Sequence, residues 1–459
     1  MKIIVTGDAA PAKNLYQTAI RYLNYRDVEL LSVDDFEGIL QAGKNLTHID
    51  AYWITGRQRQ RLTSLLTSID PILQNKVNAG LPKILLLTLH SVNESHGLGV
   101  HVSRLIELLG YPHSHLLNVC CYSEAYANAI PNIEVRPGEA SRPEFIKKME
   151  QVKEWADTSD IYLWSFAVEK EDSDLLRAVS NDLSGRIAQK RQHFYDWLPS
   201  TGQLNEEAFK INLLEFGGVL SSYTSILTQQ VEASTGLQCQ TLTDSLIYPL
   251  ERPKAEPQVK LSANELRVVL IGNIWNRETS EGVSWYEALD KVLDEQIQDD
   301  ERITITWYAD PFRVQKTLEG ANFYRAKCLL WRGFRSSLVD ELKTFDLGII
   351  PHSPDTEVTS TYTSYSIPSR FLDYACAGLP ALAITPRNSG LHQKIVSEDL
   401  GYSLTFEDLR VNLNFLKSLL TEKKNLEAKR QNLIKRVADQ RLEENKFVEA
   451  MFQHRWERQ

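Results

Sequence analysis

The sequence predicts an α/β protein of more than one domain, built from parallel βαβ units. Short apolar runs such as Ile84–His90, Leu266–Ile271 and Phe345–Pro351 recur along it, bounded by glycine, proline or polar residues. Between them lie stretches with helical spacing of about a dozen residues, the pattern of parallel strands joined by crossover helices. A polar, proline-bearing stretch, Leu250-Glu-Arg-Pro-Lys-Ala-Glu-Pro-Gln258, divides the series and reads as a linker. At 459 residues the chain is long enough for two or three cores.

The elements follow in order. Residues 1–82 read as an N-terminal α/β extension, with strands at Lys2–Gly7, Val28–Ser32 and Ala51–Thr55 and helices at Leu15–Leu23 and Arg59–Leu73. Only Gly7 is present in the first turn, so no dinucleotide fingerprint forms there. Residues 83–250 read as a second α/β series. Its first strand, Ile84–His90, leads into a loop ending His96-Gly-Leu-Gly99, and a helix follows from Val100 to Leu109. Strands are expected at Leu116–Cys120 and Asp160–Phe166, then a long helix to about Arg191. Further strands are expected at His193–Trp197 and Gly218–Ser222, a helix over Thr224–Ala233, and a last strand at Cys239–Leu242.

Residues 259–430 form the third block. A strand at Leu266–Asn273 runs into a glycine turn, a helix spans Ser284–Leu293, and Ile303–Tyr308 is the next strand. Leu329-Leu-Trp-Arg-Gly-Phe-Arg335 and Phe345-Asp-Leu-Gly-Ile-Ile-Pro351 supply two more. Ser366-Ile-Pro-Ser-Arg-Phe-Leu-Asp-Tyr-Ala-Cys-Ala-Gly-Leu-Pro380 then reads as loop, helix and Gly-Pro break, with a buried strand from Ala381 to Ile384. Ser366 is the expected N-cap and Pro368 the expected first helical residue. A helix start opening from a loop offers N–H groups and a positive dipole end to a phosphate. From Leu409 onward the chain is helix-forming, with a seam of leucines among Lys, Arg and Glu, and residues 431–459 make the final helical segment. Its basic face also admits a peripheral membrane contact, though acidic residues dilute it.

The bulk composition excludes several classes. Net charge is -9, against broad electrostatic binding of nucleic acid. Five scattered cysteines form no CxxC pair, which suits a reducing compartment rather than a zinc site. His90, His96 and His101 fall off the i,i+4 spacing of a helical metal site. No apolar run of about 18 residues spans a bilayer. The expectation is a soluble, cytoplasmic protein with no metal and no cofactor.

The run Pro368-Ser-Arg-Phe-Leu-Asp-Tyr-Ala-Cys-Ala-Gly-Leu-Pro380 resembles the donor motif of GT-B nucleotide-sugar glycosyltransferases, of the retaining "glycosyl transferases group 1" type. The order of the whole third block resembles that family's C-terminal domain, and residues 83–250 resemble its N-terminal one. The resemblance implies two facing Rossmann-like domains and transfer of a hexose-type unit from a nucleoside-diphosphate sugar to a glycan or lipid-linked acceptor, as in polysaccharide biosynthesis. It places the diphosphate at Pro368, Ser369 and Arg370, the ribose on Asp373, and the base near Gly333 and Phe334. Gly272 and Asn273 form the first donor turn, Tyr365 and Ser366 the donor loop, and His96, Gly97 and Gly99 the acceptor loop. It also implies that the final helix crosses back to the N-terminal domain.

The sequence departs from the family at two points. Asn273 stands where an Arg is usual, leaving Arg277 as the cation of that turn; it is a diphosphate ligand or a surface arginine. The first position of the family's Glu-x7-Glu pair falls on Tyr365, and Glu357 lies nearby at the wrong spacing. The stereochemical outcome is therefore open. His90 ends the first strand of its domain, and Asp196, late in an expected strand, is a candidate base for an inverting reaction, an acceptor ligand, or a capping residue. A nucleotide-sugar epimerase on the same fold and a non-catalytic glycan-binding scaffold are the alternative readings.

Overall fold

A computed structural model of the chain describes residues 2–6, 29–33, 51–54, 81–92, 97–109, 111–122, 130–136, 143–157, 159–166, 177–194, 210–211, 213–214, 216–241, 264–274, 278–298, 300–309, 329–331, 338–357 and 361–452. The chain divides into two compact units, residues 1–245 with 442–459, and residues 246–441.

In the first unit, β1 (Lys2–Thr6), β2 (Glu29–Val33) and β3 (Ala51–Ile54) form a small parallel sheet in the order β2-β1-β3. The expected helices at 15–23 and 59–73 lie outside the described residues. A seven-stranded parallel sheet follows, in the order β10-β9-β8-β7-β4-β5-β6. Its elements in chain order are β4 (Lys83–His90), α1 (Gly97–Leu109), β5 (Leu116–Tyr122), β6 (Asn132–Glu134), α2 (Pro143–Ala156), β7 (Ile161–Ser165), β8 (Ile187–Phe194), β9 (Val219–Ser222), α3 (Ser225–Thr235) and β10 (Cys239–Thr241). Central strand β4 is apolar on both faces, with Ile84, Leu85, Leu86 and Leu87 all buried, as a strand covered on both sides requires.

Helix α2 escapes the sequence reading. It lays Phe145, Met149, Val152 and Ala156 against Leu85, Leu117 and Leu163 of one sheet face. The opposite face carries polar groups: Thr88 donates to Asn118 Oδ1 at 3.0 Å, and Asn118 donates to Asn132 Oδ1 at 2.9 Å. Such a network tolerates burial because its members satisfy one another.

The expected helix to Arg191 is corrected here, since residues 187–191 open β8, and the expected strand at His193–Trp197 is likewise displaced. Gln189, Arg191, Gln192 and His193 are buried polar residues of this strand, so its hydropathy hides it. Helix α1 also begins three residues early, so Gly97 and Gly99 lie in its first turn and not in a loop.

The second unit holds β11 (Leu266–Ile271), α4 (Trp285–Ile297), β12 (Ile303–Tyr308), β13 (Leu329–Trp331), α5 (Val339–Leu342), β14 (Leu347–Pro351), α6 (Thr361–Tyr365), α7 (Ser369–Cys376), β15 (Ala381–Ile384), α8 (Gly390–Ser397), β16 (Gly401–Leu404), α9 (Phe406–Val411), α10 (Phe415–Leu419) and α11 (Lys423–Phe452). Its six strands are all parallel in the order β13-β12-β11-β14-β15-β16. Helix α4 starts on the Ser284 cap and buries Trp285, Leu289 and Leu293 against Leu266, Val268, Leu270 and Trp307. Leu416, Leu419 and Leu426 complete that core, as the leucine seam predicts.

Both main sheets are doubly wound. In each, the first strand lies centrally and the chain turns back on its other side, between β11 and β14 in one unit and between β4 and β7 in the other. That reversal leaves a crevice at the carboxyl ends of the strands, where ligands of open α/β sheets bind.

Candidate functional site

In the second unit the switch between β11 and β14 is built by the turn after β11 and by two residues of α7, Arg370 and Tyr374. Strand β11 ends at Ile271, and Gly272 follows with φ 76°, a conformation that only glycine adopts without strain. Its N–H donates to the Tyr308 carbonyl at 2.7 Å, and its carbonyl accepts from Trp307 Nε1 at 2.9 Å. The Arg370 guanidinium lies over this glycine, 3.6 Å from where a Cβ would stand. Arg370 Nη2 donates to the Asn273 carbonyl at 2.6 Å. Gly272, Asn273 and Arg370 are thus brought together across 97 residues of sequence, and Arg370 braces the turn.

Tyr374 makes the second link. Its hydroxyl accepts from the Ile271 N–H at 3.0 Å and lies 3.1 Å from the Ile349 carbonyl and 3.3 Å from that of Val269. The ladder between β11 and β14 ends at the Leu270–Ile349 pair, so this hydroxyl bridges the strands where they part. Burial pushes the phenol well above its ordinary range, and the group stays a neutral donor and acceptor. Its ring lies flat against Gly348. Nothing local in the sequence marks Tyr374 for this role, since its partners lie 25 to 105 positions away.

Helix α7 corrects the expected cap. Pro368, with ψ 135°, is the N-cap, no side chain caps it, and Ser369 is the first helical residue. Ser366 is buried two positions earlier. Pro368, Ser369, Arg370 and Asp373 are all partly exposed along the helix start. Gly378 ends the helix in the left-handed region with φ 65°, as its motif position implies. The polar stretch read as loop contains a short helix, α6, and Tyr365 closes it; partial burial raises the Tyr365 phenol above its ordinary value.

In the first unit His90 closes β4, paired in register with Tyr122. Sequence reading missed the cluster nearby. His101 on α1 stacks on His193 of β8, their rings 5.5 Å apart and their Nε2 atoms 3.4 Å apart. His193 Nδ1 lies 3.1 Å from Ser221 Oγ, which donates to the Gln192 carbonyl at 3.4 Å. Ser221 therefore accepts from His193 Nδ1–H, and His193 Nε2 accepts from His101 Nε2–H. Both imidazoles are neutral. Burial holds His101 down to about 3, aided by Arg104, and burial with His101 and Arg191 holds His193 well below its ordinary value.

A stability consequence follows. The unfolded chain binds protons at both histidines below about pH 6.5, while the folded chain keeps them neutral until His101 titrates near 3. The stabilisation is present above pH 6.5 and is lost as pH falls through that window. Between pH 7 and pH 5 the first unit is expected to lose roughly 4 kcal/mol for the pair. Urea denaturation at the two pH values measures this, and a midpoint that does not move would refute the neutral pair.

Arg277, Asp196, His96, Gly333 and Phe334 lie outside the described residues. Among the described residues no group of three or more His, Cys, Asp or Glu is placed to hold a metal ion, and no helix is long and apolar enough to cross a membrane.

The architecture is similar to that of solved glycosyltransferase structures. An alpha,alpha-trehalose 6-phosphate synthase from Burkholderia multivorans matches with a TM-score of 0.50 at 9% identity, over 81% of this chain and 95% of that one. A UDP-forming alpha,alpha-trehalose-phosphate synthase from Burkholderia xenovorans matches with a TM-score of 0.50 at 9% identity, over 81% of this chain and 98% of that one. No protein-family model matches the sequence, and no curated protein matches it. The chain has the GT-B fold, two Rossmann-like domains of mixed α/β structure. At such identity the likeness defines the fold.

Proposed function

We propose that the protein is a glycosyltransferase that moves a hexose-type sugar from a nucleoside-diphosphate sugar to a glycan or lipid-linked acceptor. The observation that carries the reading is the β11–β14 switch point, where the Gly272–Asn273 turn is braced by Arg370 at the start of α7. A backbone turn and a helix start converge there on the place where a ligand of this sheet type binds, and both suit a diphosphate. The UDP-forming activity named for the Burkholderia xenovorans structure supports a nucleotide-sugar donor.

In this reading the bond from the anomeric carbon to the diphosphate breaks, and the leaving oxygen keeps the electron pair. The acceptor hydroxyl bonds to that carbon and gives up its proton. The protein's part is to hold the two substrates and to meet the growing charge on the diphosphate. Backbone N–H groups at Asn273, Ser369 and Arg370, together with the Arg277 cation, supply the second, while Gly272 shapes the turn and Pro368 opens the helix. Asp373 takes the ribose, Tyr365 and Ser366 shape the sugar end, and Gly333 and Phe334 flank the base. His90 and Asp196 serve the acceptor proton, and His96, Gly97 and Gly99 serve the acceptor. The reaction runs without a metal, in the cytoplasm.

A donor panel tests this. Incubation with UDP-, GDP- and TDP-sugars in EDTA, with a glycan mixture present, should release free nucleotide from one donor. An altered sugar without release would mean epimerisation, and binding without turnover a scaffold. Asp373→Ala should weaken nucleotide binding by about 1–3 kcal/mol, the scale of a charge-assisted hydrogen bond. Unchanged affinity by calorimetry, with the fold intact, would remove Asp373 from the ribose site.

A further inference from the structure

Two described stretches between β14 and α7, residues 352–357 and 361–368, are anchored to one place, the amino end of α8. At the near end, His352 Nδ1 lies 3.0 Å from Thr385 Oγ1, which lies 2.8 Å from Ser389 Oγ. Ser389 is the N-cap of α8, and its hydroxyl oxygen accepts the His392 N–H at 3.1 Å. Thr385 and Ser389 are fully buried. Each hydroxyl donates once and accepts twice, so the tautomer of His352 sets the direction in which hydrogens run along this chain. A neutral imidazole that accepts at Nδ1 carries its proton on Nε2.

At the far end the backbone of α6 closes on the first residue of α8. A Cβ on Gly390 would stand 2.9 Å from the Ser364 carbonyl oxygen and 3.4 Å from that of Tyr365. Contact that tight forces the neighbour to give way, and the neighbour here is backbone. Glycine at 390 is therefore what lets α6 sit down. One turn of chain, Ser389–Gly390, anchors both stretches.

We propose that Thr385, Ser389 and Gly390 are positioning residues that hold residues 352–357 and 361–368 in the shape that receives the diphosphate of a nucleoside-diphosphate sugar, with the Thr385 hydrogen directed to His352 Nδ1. This rests on the reading of those stretches as the donor loop. Thr385 and Ser389 act through His352. Gly390 acts through the α6 backbone, which leads directly into Ser366 and the start of α7. Displacements of a few tenths of an ångström matter at such a site, because binding and transfer both depend on alignment.

The test uses the full chain with Thr385→Val, which keeps the shape and removes the hydroxyl, Thr385→Ser, which restores it, and Gly390→Ala. Nitrogen-15 NMR of the imidazoles should show His352 protonated at Nε2 in the parent and in Thr385→Ser, with that preference lost in Thr385→Val. Calorimetry with UDP as probe should show about a tenfold loss of affinity in Thr385→Val and in Gly390→Ala, with Thr385→Ser within about twofold of the parent. KM for the active donor should rise in step while kcat changes less. If Gly390→Ala does not fold, the valine and serine pair still decides. A parent His352 protonated at Nδ1, or UDP affinity and KM unchanged in Thr385→Val, would overturn the proposal. A parent that binds no nucleotide would overturn the donor-loop reading and the positioning role with it, while the tautomer result would still stand on its own.

Discussion

Gly348→Ala is expected to cost the second unit about 3 kcal/mol or more of stability, the largest effect of any single methyl at the β11–β14 switch. A Cβ at this position would stand 2.6 Å from Tyr374 Cδ2 and Cε2 and 2.8 Å from its Cγ. The ring has nowhere to go, because Tyr374 is fully buried and its hydroxyl is held between β11 and β14. The added methyl must either lift α7 from the sheet or break those hydrogen bonds. Overpacking alone costs about 1–3 kcal/mol, and stranding the buried Ile271 N–H adds about 1–3 kcal/mol. Urea denaturation followed by tryptophan fluorescence measures the loss. A second change, Tyr374→Leu, removes the ring and should recover part of it, giving a coupling energy that two independent sites would not show. A variant within about 1 kcal/mol of the parent would mean the ring and the strand are not in the contact described.

The second large effect is on turnover. Arg277→Ala is expected to lower turnover about a hundredfold while changing nucleotide affinity much less. Asn273 stands where the resembling family has an arginine, so in the proposed function the diphosphate meets fewer cations in this turn. The Arg370 guanidinium is engaged with the Asn273 carbonyl as a brace. Charge on the leaving diphosphate grows toward the transition state, so a cation that answers it contributes more there than in the ground state. Steady-state kinetics with the donor identified by the panel separates the two parameters. Normal turnover in Arg277→Ala would make the residue a surface arginine and would shift the charge stabilisation to the backbone at the start of α7.

Much of the molecule is legible in the sequence, and the reason differs between elements. Strand β4 is visible because its middle is covered on both faces, so Ile84–Leu87 reads as an unbroken apolar run. Helix α4 is visible because Ser284 caps it and its apolar residues recur at helical spacing. Strand β8 is not, because its buried positions are filled by Gln189, Arg191, Gln192 and His193, and the partners of Gln189 and His193 come from β7, α1 and β9. The start of α7 was placed two residues too early at its cap, since Ser366 has the chemistry of an N-cap and only the backbone angles of Pro368 reveal which residue serves.

The sequence by itself determined the parallel βαβ series, the two-domain plan and the loop, helix and Gly-Pro break of the 366–380 run. These depend on burial pattern and on local backbone preference, which neighbouring residues encode among themselves. Only the tertiary structure decided that Arg370 braces Asn273, that Tyr374 bridges β11 and β14, and that His352 meets Thr385. Each of those contacts joins residues 25 to 105 positions apart. A polar side chain's partner across such a distance is selected by strand order and helix docking, which place the two groups within hydrogen-bond reach. No local period in the chain records that choice.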